Sequence, residues 1–184
     1  MASYYLQATG ITNANDKNML AISNATGSGK LIKIYRAWAI NTATGAISGG
    51  VNGFLIGRGS NAGNAITSGT ALNFLPTSSA VTAGSATPFT GCTAYSGATT
   101  ITGTMATEFR RVFRATDELA AGGATFDEIQ NLLPWAILWD TGYASADVEP
   151  LVLRENQSFL IRTDSAPGNS AAATFNISVE LTIV

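Results

Sequence analysis

Histidine is missing from all 184 residues of the chain. Its absence removes the side chain most used as a general base, proton shuttle and transition-metal ligand near neutral pH. Cysteine occurs once, at Cys92, so no disulfide can close within the chain and cysteine usage says nothing about compartment. Cys92 lies in a Gly/Thr-rich stretch with no clustered charge to lower its pKa, which argues against a nucleophile. Charge is scarce too: Asp, Glu, Lys and Arg supply 12% of the residues, half the ordinary share of about 25%. A formal net charge of −2 offers no basic footprint, so no nucleic-acid partner is expected. No apolar run approaches the ~18 residues that would span a bilayer, and no membrane partner is expected either. The opening "MASYYLQATGITNANDK" has neither a basic n-region nor an apolar h-region. The expectation is a protein synthesised and folded in a cytoplasm.

Ala, Thr, Ser, Gly and Asn fill the place of the missing charge. A chain of this length buries roughly 70% of its unfolded surface and needs no disulfide or metal to fold. A free monomer relies on surface charge for solubility. A low-charge surface suits a protein packed against copies of itself or against a partner.

Alternation with a period of two dominates the hydrophobic pattern. "ATFNISVELTIV" sets Phe175, Ile177, Val179, Leu181 and Ile183 inward and Asn176, Ser178, Glu180 and Thr182 outward. In "KLIKIYRAWAIN" the same count sends Ile32, Ile34, Trp38 and Ile40 to the core side and Lys33, Tyr35, Ala37 and Asn41 to the other. Further strands are expected over 18–24, 52–59, 70–75, 107–115, 136–140, 150–154 and 158–163, separated by turns such as "NATGSG" and "SAPGNSA". Many short strands between Gly/Asn/Ser turns predict an all-β sandwich or barrel. Residues 1–17 read as a candidate N-terminal arm that orders on a neighbour, with Tyr4 and Tyr5 as candidate interface residues. Residues 18–184 then form a single domain, elaborated by a polar Ser/Thr/Gly-rich insertion over 76–106 that contains short strands. Thr125 and Glu128 make a capping-box pattern, and Pro134 ends the segment; one short helix is expected over about 125–132.

Four features carry possible chemistry. Gly27-Ser28-Gly29-Lys30 looks like a phosphate loop, but G-x-x-x-x-G-K-[ST] requires glycine at position 24 and Ser or Thr after the lysine. The chain has Asn24 and Leu31, and a β-patterned run comes next instead of a helix. The stretch reads as a hairpin turn in which a glycine takes a positive φ. The carboxylates Asp127, Glu128, Asp140, Asp147 and Glu149 cluster in sequence, yet nothing shows a converging pair of the kind a glycosidase uses. In "EFRRVFRAT", Arg110 and Arg114 share a face with Val112, while Arg111 lies with Phe109 and Phe113 and calls for a carboxylate partner. Arg110, Arg111 and Arg114 are either a charge-protected strand edge or a contact with an acidic partner surface. Trp135 and Trp139, four apart on a strand, share a face and serve core packing or, alternatively, glycan stacking.

Several pieces in order resemble a known family, the small virion proteins that decorate or cement the heads of tailed bacteriophages. These are the glycine turn leading into "IYRAWAIN", the "GGVNGFLIGRGS" strand, a polar middle, and the closing "DVEPLVLRENQSFLIRTDSAPGNSAAATFNISVELTIV". The resemblance implies a jelly-roll-like sandwich that sits as a homotrimer on the outer capsid surface and bridges subunits of the major capsid protein. It implies no cofactor, metal or catalytic residue, so a non-enzymatic role is expected. The alternatives are a tail or neck structural protein, a glycan-binding module or adhesin, and a carboxylate-based hydrolase.

Overall fold

The computed structural model describes residues 2–42, 50–60, 68–78, 84–85, 87–101, 104–116, 135–142, 149–164 and 173–184. They form twelve strands: β1 (Ala2–Thr12), β2 (Asn18–Asn24), β3 (Ile32–Asn41), β4 (Gly50–Ser60), β5 (Thr70–Ala71), β6 (Leu75–Pro76), β7 (Cys92–Ile101), β8 (Met105–Thr116), β9 (Trp135–Asp140), β10 (Leu151–Leu153), β11 (Gln157–Asp164) and β12 (Thr174–Ile183). Sheet A runs β10-β3-β12-β1-β6, with β9 also on β3; sheet B runs β5-β7-β2-β11-β4-β8. β10 and β9 share one edge of β3, the first opposite Ile32–Ile34 and the second opposite Arg36–Ile40. The pairings within both sheets are antiparallel. The fold is thus the all-β sandwich that the alternation predicts.

The core lies between the sheets. Phe175, Ile177, Val179, Leu181 and Ile183 of β12 all enter it as expected, and Phe54 of sheet B meets Phe175 of sheet A edge-on at 5.1 Å. β2 is buried along its whole length. Its outward Ala21 joins Leu160, Tyr95 and Met105 in a small second apolar cluster on the far face of sheet B.

The β3 pattern differs from the count made on the sequence. Ile34 pairs with Leu181 and Arg36 with Glu180, so Tyr35 is an extra residue, a β-bulge. The bulge flips the parity of everything after it. Ala37 and Ala39 fill the core, and Trp38 and Ile40 turn to the half-buried outer face.

Two other expectations fall differently. Ala2–Thr12 of the candidate arm is an internal strand of sheet A, paired with β12 and β6, with Leu6 and Ala8 in the core. The 76–106 stretch contains β7, which pairs with β2 inside sheet B and puts Cys92 and Ala94 into the core; it is part of the sandwich. The expected helix over 125–132 lies outside the described residues.

Candidate functional site

The outer face of sheet A is built by the β3 bulge. It brings Trp38 beside Tyr5 of β1, ring centroids 5.9 Å apart and tilted by 51°. The Tyr5 hydroxyl donates to Ser178 Oγ at 2.8 Å, and the Thr182 hydroxyl donates to the Tyr35 oxygen at 3.4 Å. Small hydroxyl residues of the central strand β12 therefore hold the rings of its neighbours. Leu75, 45% exposed, stands in register with Tyr5 at the sheet edge. On the opposite side Arg36 Nε meets Asp140 Oδ2 at 3.0 Å, while Asp140 Oδ1 accepts from Gly142 N at 2.8 Å. Aromatic rings anchored by hydrogen bonds lose little freedom when a partner covers them.

Of the two tyrosines read as interface residues, Tyr5 alone belongs to this face. Tyr4 points the other way, buried in the core with Phe74 edge-on at 6.0 Å. A bulge interrupts the strand between the two tryptophans. Leu138 is an extra residue in the β9–β3 pairing, so Trp135 pairs with outward Ile40 and Trp139 with inward Ala37. Trp139 packs against the core and lies 6.4 Å from Phe109.

The arginines lie on β8, at the edge of sheet B. Arg111 has the carboxylate partners its position called for: Nε and Nη2 each reach Glu108 at 3.2 Å, and Nε reaches Asp164 at 3.3 Å. The hydrogen bonds that Arg111 donates to Glu108 raise its pKa, desolvation opposes the shift, and the charge of Asp164 adds to it. The guanidinium is nonetheless at the surface, not buried. Arg110 is exposed, the Arg114 backbone stands in register with Asn52 of β4, and the Arg58 guanidinium lies 5.0 Å over the Phe109 ring.

The glycine turn is ordered by Asn24, the residue that occupies the place of a phosphate loop's first glycine. Its buried amide donates to the carbonyls of Lys30 (2.8 Å) and Leu153 (3.2 Å), and its oxygen accepts from Ser28 Oγ at 2.6 Å. Gly27 and Gly29 take φ of 81° and 64°, as a turn reading requires. Their amides point at a carboxylate: Gly27 N donates to Glu155 Oε2 at 3.0 Å and Gly29 N to Oε1 at 2.7 Å. Those two bonds pull the Glu155 pKa below the usual carboxylate range. Glu155 carried no signal in the sequence, since only the fold brings the β10–β11 turn under the β2–β3 turn.

Cys92 is fully buried, and burial pushes its thiol far above the ordinary range. Asp140 is paired with Arg36; Asp127, Glu128 and Asp147 lie outside the described residues. A cleft of about 390 Å³ opens between the sheets and is lined by neutral groups, among them Gln7, Thr9, Thr70 and Ser96. No family model, curated protein or solved structure matches the chain.

Proposed function

We propose that the chain is a non-enzymatic virion structural protein, a decoration or cement subunit that docks on the head of a tailed phage through the outer face of sheet A. The anchored Tyr5–Trp38 pair, next to exposed Leu75, carries the reading. Aromatic residues held rigidly in a low-charge surround are the usual energetic centre of a protein interface. The resembling segments supply β3, β4, β10, β11 and β12, and so include the bulged strand that builds this face. The partner is the major capsid protein together with further copies of this chain, assembled as a trimer, on the outer capsid surface. Repeated over a lattice, interfaces of about 1,600 Å² suffice to oppose outward pressure from packaged DNA.

Electron microscopy of purified particles tests the proposal. Density for the chain at regular positions on the head is the expected result; density confined to the tail or neck moves it to the alternative virion site, and no density on either ends the virion reading. A glycan-binding role uses the same ring pair. It requires tryptophan emission that responds to added sugar and is indifferent to capsid protein.

A further inference from the structure

We propose that the turn Gly27–Lys30 is an oxyanion receptor whose resident ligand is the Glu155 carboxylate, and that an external carboxylate or phosphate occupies it when Glu155 is withdrawn. Two backbone amides two residues apart converge on the two oxygens of one carboxylate, at 3.0 and 2.7 Å. Convergent amides of this kind form an anion-binding concavity. The concavity is not shaped by the anion. Asn24 fixes the turn from inside through Lys30, Leu153 and Ser28, and Ala25 N donates to the Gly91 carbonyl at 2.8 Å. Beyond the turn, Leu31 and Val184 exchange backbone hydrogen bonds at 3.0 and 2.9 Å. The amides of Gly27 and Gly29 therefore stay in place without Glu155.

The surroundings leave room for another ligand. A Cβ on Gly27 or Gly29 would meet nothing within 4 Å. Glu155 is fully exposed and rides on a tight turn where Asn156 takes φ of 62°. The charged residues of the two turns are Lys30, Arg154 and Glu155, so removing Glu155 leaves the site with only positive side chains. The turn thus presents convergent donor amides and fills them from within.

The test is a titration of Glu155→Ala and of the unaltered chain with sodium acetate and with inorganic phosphate, at ionic strength held constant with chloride. Amide NMR signals of Gly27 and Gly29 are the readout. In Glu155→Ala both signals shift saturably, and acetate moves them toward their positions in the unaltered chain, which itself does not respond. Saturation with acetate alone identifies a carboxylate receptor; saturation with phosphate as well identifies a general oxyanion receptor. No saturable shift overturns the proposal when the Leu31 and Val184 amides hold their positions. Displacement of Leu31 and Val184 in the variant overturns it too, because the turn then needs Glu155 to form.

Discussion

Met105 occupies the space that a side chain on Gly57 would need. A Cβ built on Gly57 lies 2.5 Å from the Met105 sulfur and collides with the Thr107 carbonyl. Met105 crosses the outer face of sheet B to join Leu160 and Ala21, and this anchors the start of β8 to β4. Gly57→Ala is therefore expected to destabilise the fold by about 1–3 kcal/mol through overpacking, measured by urea denaturation. Met105→Ala in the same chain relieves only part of the loss, because the backbone carbonyl stays in the way. Full recovery in the double variant would show that the backbone clash is not real.

The bulge at Tyr35 predicts a reversal of the simple alternation. Ala37→Leu inserts a larger side chain into a filled core position and is expected to cost about 1–3 kcal/mol. Trp38→Ala removes a half-buried ring that packs on Tyr5, and is expected to cost about 1 kcal/mol. Denaturation midpoints of the two variants check the order. A strictly alternating β3 would give the opposite ranking.

Asn24 has no apolar substitute. Asn24→Ala leaves the Lys30 and Leu153 carbonyls without their donor in a buried setting and frees Ser28. A loss of about 1–3 kcal/mol is expected, with faster hydrogen exchange at Leu31 and Val184, whose mutual bonds depend on the turn. Unchanged exchange there would show that Asn24 does not order the turn.

Acid should lower the stability of the fold through Glu155 without moving the turn. Its folded-state pKa is lowered by the Gly27 and Gly29 amides, so its contribution is present above the unfolded carboxylate pKa and is lost as pH falls through the folded value. Thermal melting of the unaltered chain should exceed that of Glu155→Gln at neutral pH, and the two should converge in acid. A difference that persists unchanged below the folded pKa would assign the effect to shape, not charge.

The strands that were legible in the sequence are those whose inward residues are large. β12 alternates five bulky apolar residues with polar ones, and the count identified every inward side chain. Among the described side chains of β7, Cys92 and Ala94 enter the core, so its alternation has little amplitude and the stretch read as an insertion. β1 hides its inward set, Tyr4, Leu6, Ala8 and Ile11, behind an irregularity after Ala8 that breaks the count. The bulges at Tyr35 and Leu138 were invisible because an extra residue is defined by the partner strand, not by its own neighbours. They decide which aromatics reach the surface. The Tyr5–Trp38 pair and the Glu155 latch are accordingly products of long-range pairing, while the failure of the glycine turn as a phosphate loop was readable from spacing alone.

The docking proposal separates the two surfaces by the size and kind of effect. Tyr5 is anchored on Ser178 and Trp38 packs against it, the setting in which truncating one side chain costs about 2 kcal/mol or more. That corresponds to an affinity loss of about 30-fold. Arg110 is exposed on the far sheet, and a charge in such a position alters association rate and salt dependence more than affinity. Reconstitution of undecorated particles with each variant should give about 30-fold weaker half-saturation for Trp38→Ala. Arg110→Ala should stay close to the unaltered chain at physiological salt. If Arg110→Ala abolishes docking and Trp38→Ala does not, the interface lies on sheet B, where the Arg111–Glu108–Asp164 network would mark its border.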